Sequence, residues 1–222
     1  MIPLRDTQRS SSAPVVTILL IAVNFAAFFY ELSLDDFSRN HLIFVYGLVP
    51  ERLHASSLIT SMFLHGGWMH IVGNMWFLWI FGDNVEDSLG HGKYLLFYLL
   101  CGVAAALAQV AINPDSRVPT IGASGAIAGV MGAYLVKYPR ARILTLVFIV
   151  FFITFYELPA WFVLVYWFII QLFSGVGSVA YTQLSEGGVA WFAHVGGFIA
   201  GLVLIRLFPT RSVYERRRDL NW

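Results

Sequence analysis

Charge is what this chain has least of. Asp, Glu, Lys and Arg make up 12 % of its 222 residues, about half the share of a soluble globular domain. With 58 % hydrophobic residues, that scarcity excludes an ordinary water-soluble domain and leaves a membrane protein, one domain at this length. Cysteine is scarcer still. The single Cys101 lies in an apolar run; it excludes a disulfide within the chain and reads as a small buried hydrophobe. A net charge of +1 identifies no partner, and nothing points to nucleic acid. Two catalytic signatures are also missing. There is no HExxH metalloprotease pair, and "GASGA" is not the GxSxG elbow, because position 126 is Ala.

Long apolar runs are what the chain has instead. A helix that crosses a bilayer needs about 20 mostly apolar residues, and six stretches qualify, near 14–32, 64–82, 93–112, 122–138, 158–174 and 190–208. The first follows Arg5 and Arg9 as a signal peptide would, but it is too long for a signal h-region and reads as a retained helix. The expected fold is therefore an all-α polytopic bundle of six transmembrane helices. Residues 1–13 would be a short cytoplasmic segment, 14–208 the six-helix domain, and 209–222 a basic cytoplasmic tail. Residues 143–173 are ambiguous, being long enough for one span or two short ones. Charge decides for one. With six spans and a cytoplasmic amino terminus, eleven Lys and Arg residues fall inside and only Arg39, Arg52 and Arg117 outside, as the positive-inside rule requires. Residues 143–156 are then expected to be an interfacial or re-entrant segment. The loop over 33–63 reads as an interfacial element of the outer side.

That topology brings polar residues together. Spans two, four and six run in the same direction, so His65, His70 and Asn74, then Ser124, then His194 all fall at the outer end. The stretch from Ser124 to Val136 has 13 residues, about 20 Å of helix against a hydrocarbon core of about 30 Å. Ser124 should sit below the outer surface, where the irregular "PTIG" containing Gly122 is tolerated only if it lines a cavity. Gly125 and Gly129 on one helix, and Gly197 and Gly201 on another, allow the two backbones to approach closely. If those faces pack together, Ser124 and His194 meet, as an activated hydroxyl nucleophile requires. His70 and Asn74, four residues apart, share a helix face and can both donate to a developing oxyanion. A metal site from His65, His70 and His194 is the competing reading. It is disfavoured because the outer carboxylates, Glu31 among them, fall in loops rather than at helix heads. For the same reason a dyad is expected rather than a triad. Asn24, Gln109 and Gln171 are isolated polar residues, each read as an interhelical hydrogen bond.

"HGGWMHIVGN" (65–74), "GASG" (122–125) and "AHVGG" (193–197) resemble, in order and in span, the signature of the rhomboid intramembrane serine proteases. The "GDNVED" loop (82–87), with Glu86, is also similar to that family's. The resemblance covers residues 14–208. It implies Ser124 as nucleophile and His194 as general base and acid. It also implies His70, Asn74 and the Ser124 amide around the oxyanion, with His65 and Gly122 in support. The fifth span and the loop over 174–190 would form a gate and cap. The implied partners are single-pass transmembrane proteins and the lipid bilayer, with no cofactor and no metal. The implied location is the plasma membrane, with both termini cytoplasmic. Some members carry tyrosine four residues after the serine, where this chain has Ala128. A non-catalytic, client-binding rhomboid-like protein is the alternative. A channel or transporter finds no support, since the inner halves of the spans lack a polar track.

Overall fold

The computed structural model describes residues 1–149, 152–180 and 190–210, with side chains omitted at 148, 149, 152 and 178–180. The chain is mostly helical: α1 (Val15–Ser33), α2 (Asp36–Tyr46), α3 (Ser57–Thr60), α4 (Trp68–Leu89), α5 (His91–Ile112), α6 (Ser124–Lys137), α7 (Ala160–Ala180) and α8 (Trp191–Leu207). Helices α1 and α5, and residues Ala160–Gly177 of α7, are long and apolar enough to cross a membrane; α6 and α8 are shorter apolar helices.

Helix α6 is the hub. All ten residues from Gly125 to Tyr134 are buried, because glycine and alanine let neighbouring helices close around it. A β-carbon on Gly201 would collide with the Gly129 carbonyl, one on Gly197 with the Gly125 carbonyl, and one on Gly129 with Cys101. The two small-residue faces expected to pack together therefore do, and the buried Cys101 fills against them. Tyr94, Tyr98, Phe97, Phe81 and Tyr134 complete the core.

Helix starts explain the joints. Residue Pro14 ends the leader to α1, whose first amides are taken by Glu86 of α4. The fully buried carboxylate accepts hydrogen bonds from Val16 N–H (2.8 Å), Thr17 N–H (2.8 Å) and Thr17 Oγ1–H (2.8 Å). A negative charge there satisfies orphan donors and faces the positive end of the helix dipole. Asp35 caps α2 by accepting Ser38 N–H at 3.0 Å, and α2 buries none of its residues.

A three-stranded antiparallel sheet departs from the all-α expectation. Strand β1 (Ile2–Asp6) pairs with β2 (Arg142–Ile149), which pairs with β3 (Phe152–Pro159). Residues 143–156 are mainly a β-hairpin, with 150–151 outside the described residues. The run is rich in β-branched and aromatic residues, which suit a pleated strand as well as an apolar span. Residues 1–13 are likewise more than a tail. Trp76 Nε1–H donates to the Pro3 carbonyl (2.7 Å), while Tyr134 Oη–H (2.5 Å) and Asn84 Nδ2–H (3.1 Å) donate to Asp6. These bonds fasten the strand to α4 and α6.

Candidate active site

Ser124 is the first residue of α6, where the amides of the opening turn have no carbonyl one turn back. The approach to it is shaped by Gly122, whose φ of +120° is one that side chains disfavour. A β-carbon at Gly122 would also press on His70 Nε2 and approach Asn74 Nδ2, so glycine is required twice over. The Gly122 amide donates to the Ser61 carbonyl at 2.9 Å, which holds this loop against the segment after α3.

His194 enters from the first turn of α8. Its Nε2 lies 2.8 Å from Ser124 Oγ, and its Nδ1 lies 2.6 Å from Oε1 of Gln171 on α7. An amide oxygen only accepts, so this orientation of Gln171 matches a proton on Nδ1 and leaves the Nε2 lone pair to accept Ser124 Oγ–H. His194 is 8 % exposed and Gln171 7 %. The indole of Trp167 lies beside the imidazole, with ring centres 5.8 Å apart and planes at 36°.

Across the cavity, His70 and Asn74 stand one turn apart on α4. The Gly66 amide donates to His70 Nδ1 at 3.3 Å, which leaves the neutral ring's proton on Nε2, the nitrogen that faces Gly122. Asn74 Nδ2 is buried without a hydrogen-bond partner. A buried donor left unpaired costs about 1–3 kcal/mol, and such exceptions call for a reason. These two donors face the loop that leads into Ser124. His65 packs edge-on against His70 with ring centres 5.2 Å apart. Neither nitrogen of its ring has a partner, while its backbone amide donates to Glu31 Oε1 at 3.1 Å. Glu31 was expected in an outer loop; it belongs to α1 and is fully buried.

A cavity of about 720 Å³ holds Ser124, His194, His70, Asn74 and Gln171 on its wall, with Phe77, Ile127 and Met131 forming an apolar floor. Behind Ser124 a second space of about 30 Å³, lined in part by Ser61 and Thr120, has room for a water molecule with polar partners. No group of three or more metal-ligating side chains forms among the described residues. Asn24 also departs from expectation, since its amide donates to Leu20 O of its own helix at 2.7 Å rather than across to another. The gate-and-cap loop lies outside the described residues over 181–189.

The structure brings the six residues singled out in the sequence together, and Gln171 makes the interhelical hydrogen bond expected of it, although the sequence did not identify His194 as its partner. Position 171 falls on the cavity face only through the packing of α7, and one polar residue in an apolar helix carries no motif.

An apolar helical bundle with a serine–histidine pair lining a cavity defines a class of membrane protein. Comparisons with known proteins place this one within it. The family model described as "Rhomboid domain" matches residues 52–211. Rhomboid-like protein 11, chloroplastic, of Arabidopsis thaliana is 32 % identical over 193 residues, covering 82 % of this chain and 65 % of that protein. Rhomboid protease GluP of Bacillus subtilis is 35 % identical over 127 residues, 55 % of this chain and 24 % of that one. Rhomboid protein 1, mitochondrial, of Saccharomyces cerevisiae is 30 % identical over 168 residues, covering 73 % and 44 %. The chain belongs to the rhomboid family. It is an integral membrane protein of a family that includes serine proteases, and its matches span between about a quarter and two thirds of the length of these relatives.

Proposed function

We propose that this protein is an intramembrane serine endopeptidase that cleaves transmembrane segments through the dyad of Ser124 and His194. The observation that carries the reading is the 2.8 Å contact between Ser124 Oγ and His194 Nε2 inside a large, mostly apolar cavity. Ser124 Oγ attacks the carbonyl carbon of the scissile peptide while its proton passes to Nε2. The oxyanion takes hydrogen bonds from Asn74 Nδ2–H, His70 Nε2–H and the Ser124 amide. Collapse of the tetrahedral intermediate breaks the C–N bond, and the departing amine takes the proton from Nε2. Water, deprotonated by His194, then attacks the acyl-enzyme. The new acid leaves and Ser124 regains its proton. His65 and Gly122 support this site by packing and by backbone shape.

Helices α1, α4, α5, α6, α7 and α8 are read as six crossings that form the catalytic domain over 14–208, with 1–13 and 209–222 outside the bilayer. Eleven basic residues against three support placing both ends of the chain on the same basic side, the cytoplasmic one if the host is the plasma membrane. Helix α6, at 14 residues, is about 21 Å long, so Ser124 lies within the outer part of the hydrocarbon layer. Substrates are then single-pass proteins whose helix unwinds near the bond to be cut, as segments with glycine or another weak helix former do at least cost.

Proteoliposomes carrying the protein and a panel of single-pass fusion proteins test this. Cleavage within or beside the transmembrane segment is expected for the wild type and absent for Ser124→Ala. Fusions that are bound but never cut would instead favour client binding.

A further inference from the structure

We propose that Gln171 is a positioning residue for His194, a neutral third member behind the dyad; this rests on the dyad reading above. Imidazole has two nitrogens, and only one arrangement lets it take the serine proton: Nδ1 protonated, Nε2 free and aimed at Ser124. Nothing within a histidine chooses that arrangement. Here the Gln171 amide oxygen, 2.6 Å from Nδ1, makes the choice, since it can accept a hydrogen bond from Nδ1–H but could not donate one to a bare Nδ1. His194 and Gln171 are both buried, which favours this contact over one to bulk water.

The same helix also orients the ring. Trp167 and Gln171 are four residues apart on α7 and therefore on one face. Trp167 lies beside the plane of the imidazole while Gln171 holds its edge. Two contacts from one rigid helix limit both tilt and rotation of the ring, and Ser124 sits 2.8 Å from the opposite nitrogen. When Nε2 takes the serine proton, the ring becomes cationic and its Nδ1–H bond to the amide dipole strengthens. A carboxylate would stabilise that cation more. A neutral amide provides orientation without placing a second charge in an apolar bundle, where an ionised side chain is expensive.

The substitutions that test this are Gln171→Leu, which removes the acceptor at similar size, and Gln171→Glu, which restores an acceptor oxygen at the same reach. The probe is a fluorophosphonate, which forms an O–P bond to serine as fluoride leaves. For Gln171→Leu the maximal labelling rate should fall about ten- to a hundredfold, the worth of one buried hydrogen bond. The half-saturating probe concentration should stay within about twofold. Gln171→Glu should recover most of the rate. Independently, 15N spectra of histidine-labelled protein, with the His194 signal assigned by its loss in His194→Asn, should show the Nδ1–H form in the wild type. Gln171→Leu should show a mixture of forms.

A wild-type maximal rate in folded Gln171→Leu would overturn the proposal, as would a wild-type His194 protonated at Nε2. If Gln171→Leu does not fold, the wild-type spectrum and the Gln171→Glu rate decide the matter. The spectra can also be taken on Ser124→Ala, which does no chemistry. An Nδ1–H form there alongside an unlabelled, folded wild type would reject the protease reading while leaving the contact to Gln171 in place.

Discussion

Gly201 faces the backbone carbonyl of Gly129 so closely that a β-carbon on it would overlap the oxygen. One turn earlier Gly197 stands in the same relation to Gly125. These contacts fix the height of α8 against α6. His194 lies three residues before Gly197 and Ser124 one before Gly125, so the spacing that makes the helices pack also brings Ser124 and His194 together.

Gly201→Ala tests that coupling. Overpacking at a backbone contact costs about 1–3 kcal/mol, and pushing α8 outward also lengthens the distance from Nε2 to Oγ. Thermal unfolding in detergent should shift down, and labelling of the still-folded protein should slow. Gly92→Ala is the control. Nothing lies within 4 Å of a β-carbon there, so it should leave labelling unchanged and be neutral or stabilising by up to about 1 kcal/mol. Equal losses in the two variants would uncouple packing from the site.

Asn74 should separate stability from activity. Its Nδ2 is buried with no partner in the resting protein, so Asn74→Ala removes a group that contributes no bond there. Unfolding temperature should stay level or rise, while turnover falls about 10²–10³-fold if that amide stabilises the oxyanion. A large loss of stability with turnover intact would assign Asn74 to the scaffold instead.

Glu86 should do the opposite. Glu86→Ala strips the acceptor from two amides and a hydroxyl at the start of α1, which should cost at least about 2 kcal/mol. Glu86→Gln, which keeps one acceptor oxygen, should lose less. Both belong to the end of the bundle remote from Ser124, so the folded fraction of each should label at the wild-type rate. Unfolding curves and labelling measured on the same samples give the comparison.

What could be read in the sequence was whatever repeats at helical spacing. Small residues four apart marked the faces of α6 and α8, and polar residues at helix heads marked the site, because both signals depend only on local periodicity and span direction. The sheet was hidden for the converse reason. An apolar, β-branched run reads equally as strand or span, residues 143–159 have no Asn or Gly turn to announce a hairpin, and β1 lies more than 130 residues from its partner. Glu31 was assigned to a loop although the expected first span, 14–32, already contained it, because its charge was read as marking the end of the span; the helix runs one residue further, to Ser33. Gln171 stood out as a lone polar residue in an apolar run, but its partner comes from the register of α7 against α8, which is a tertiary fact.

The most direct measurement is covalent labelling of the folded, detergent-solubilised protein by a fluorophosphonate, with the adduct located by mass spectrometry. The account predicts a single adduct on Ser124, absent in both Ser124→Ala and His194→Ala. Labelling at Ser124 that persists in His194→Ala, or no adduct in a folded wild type whose cavity the probe is shown to enter, would contradict the dyad.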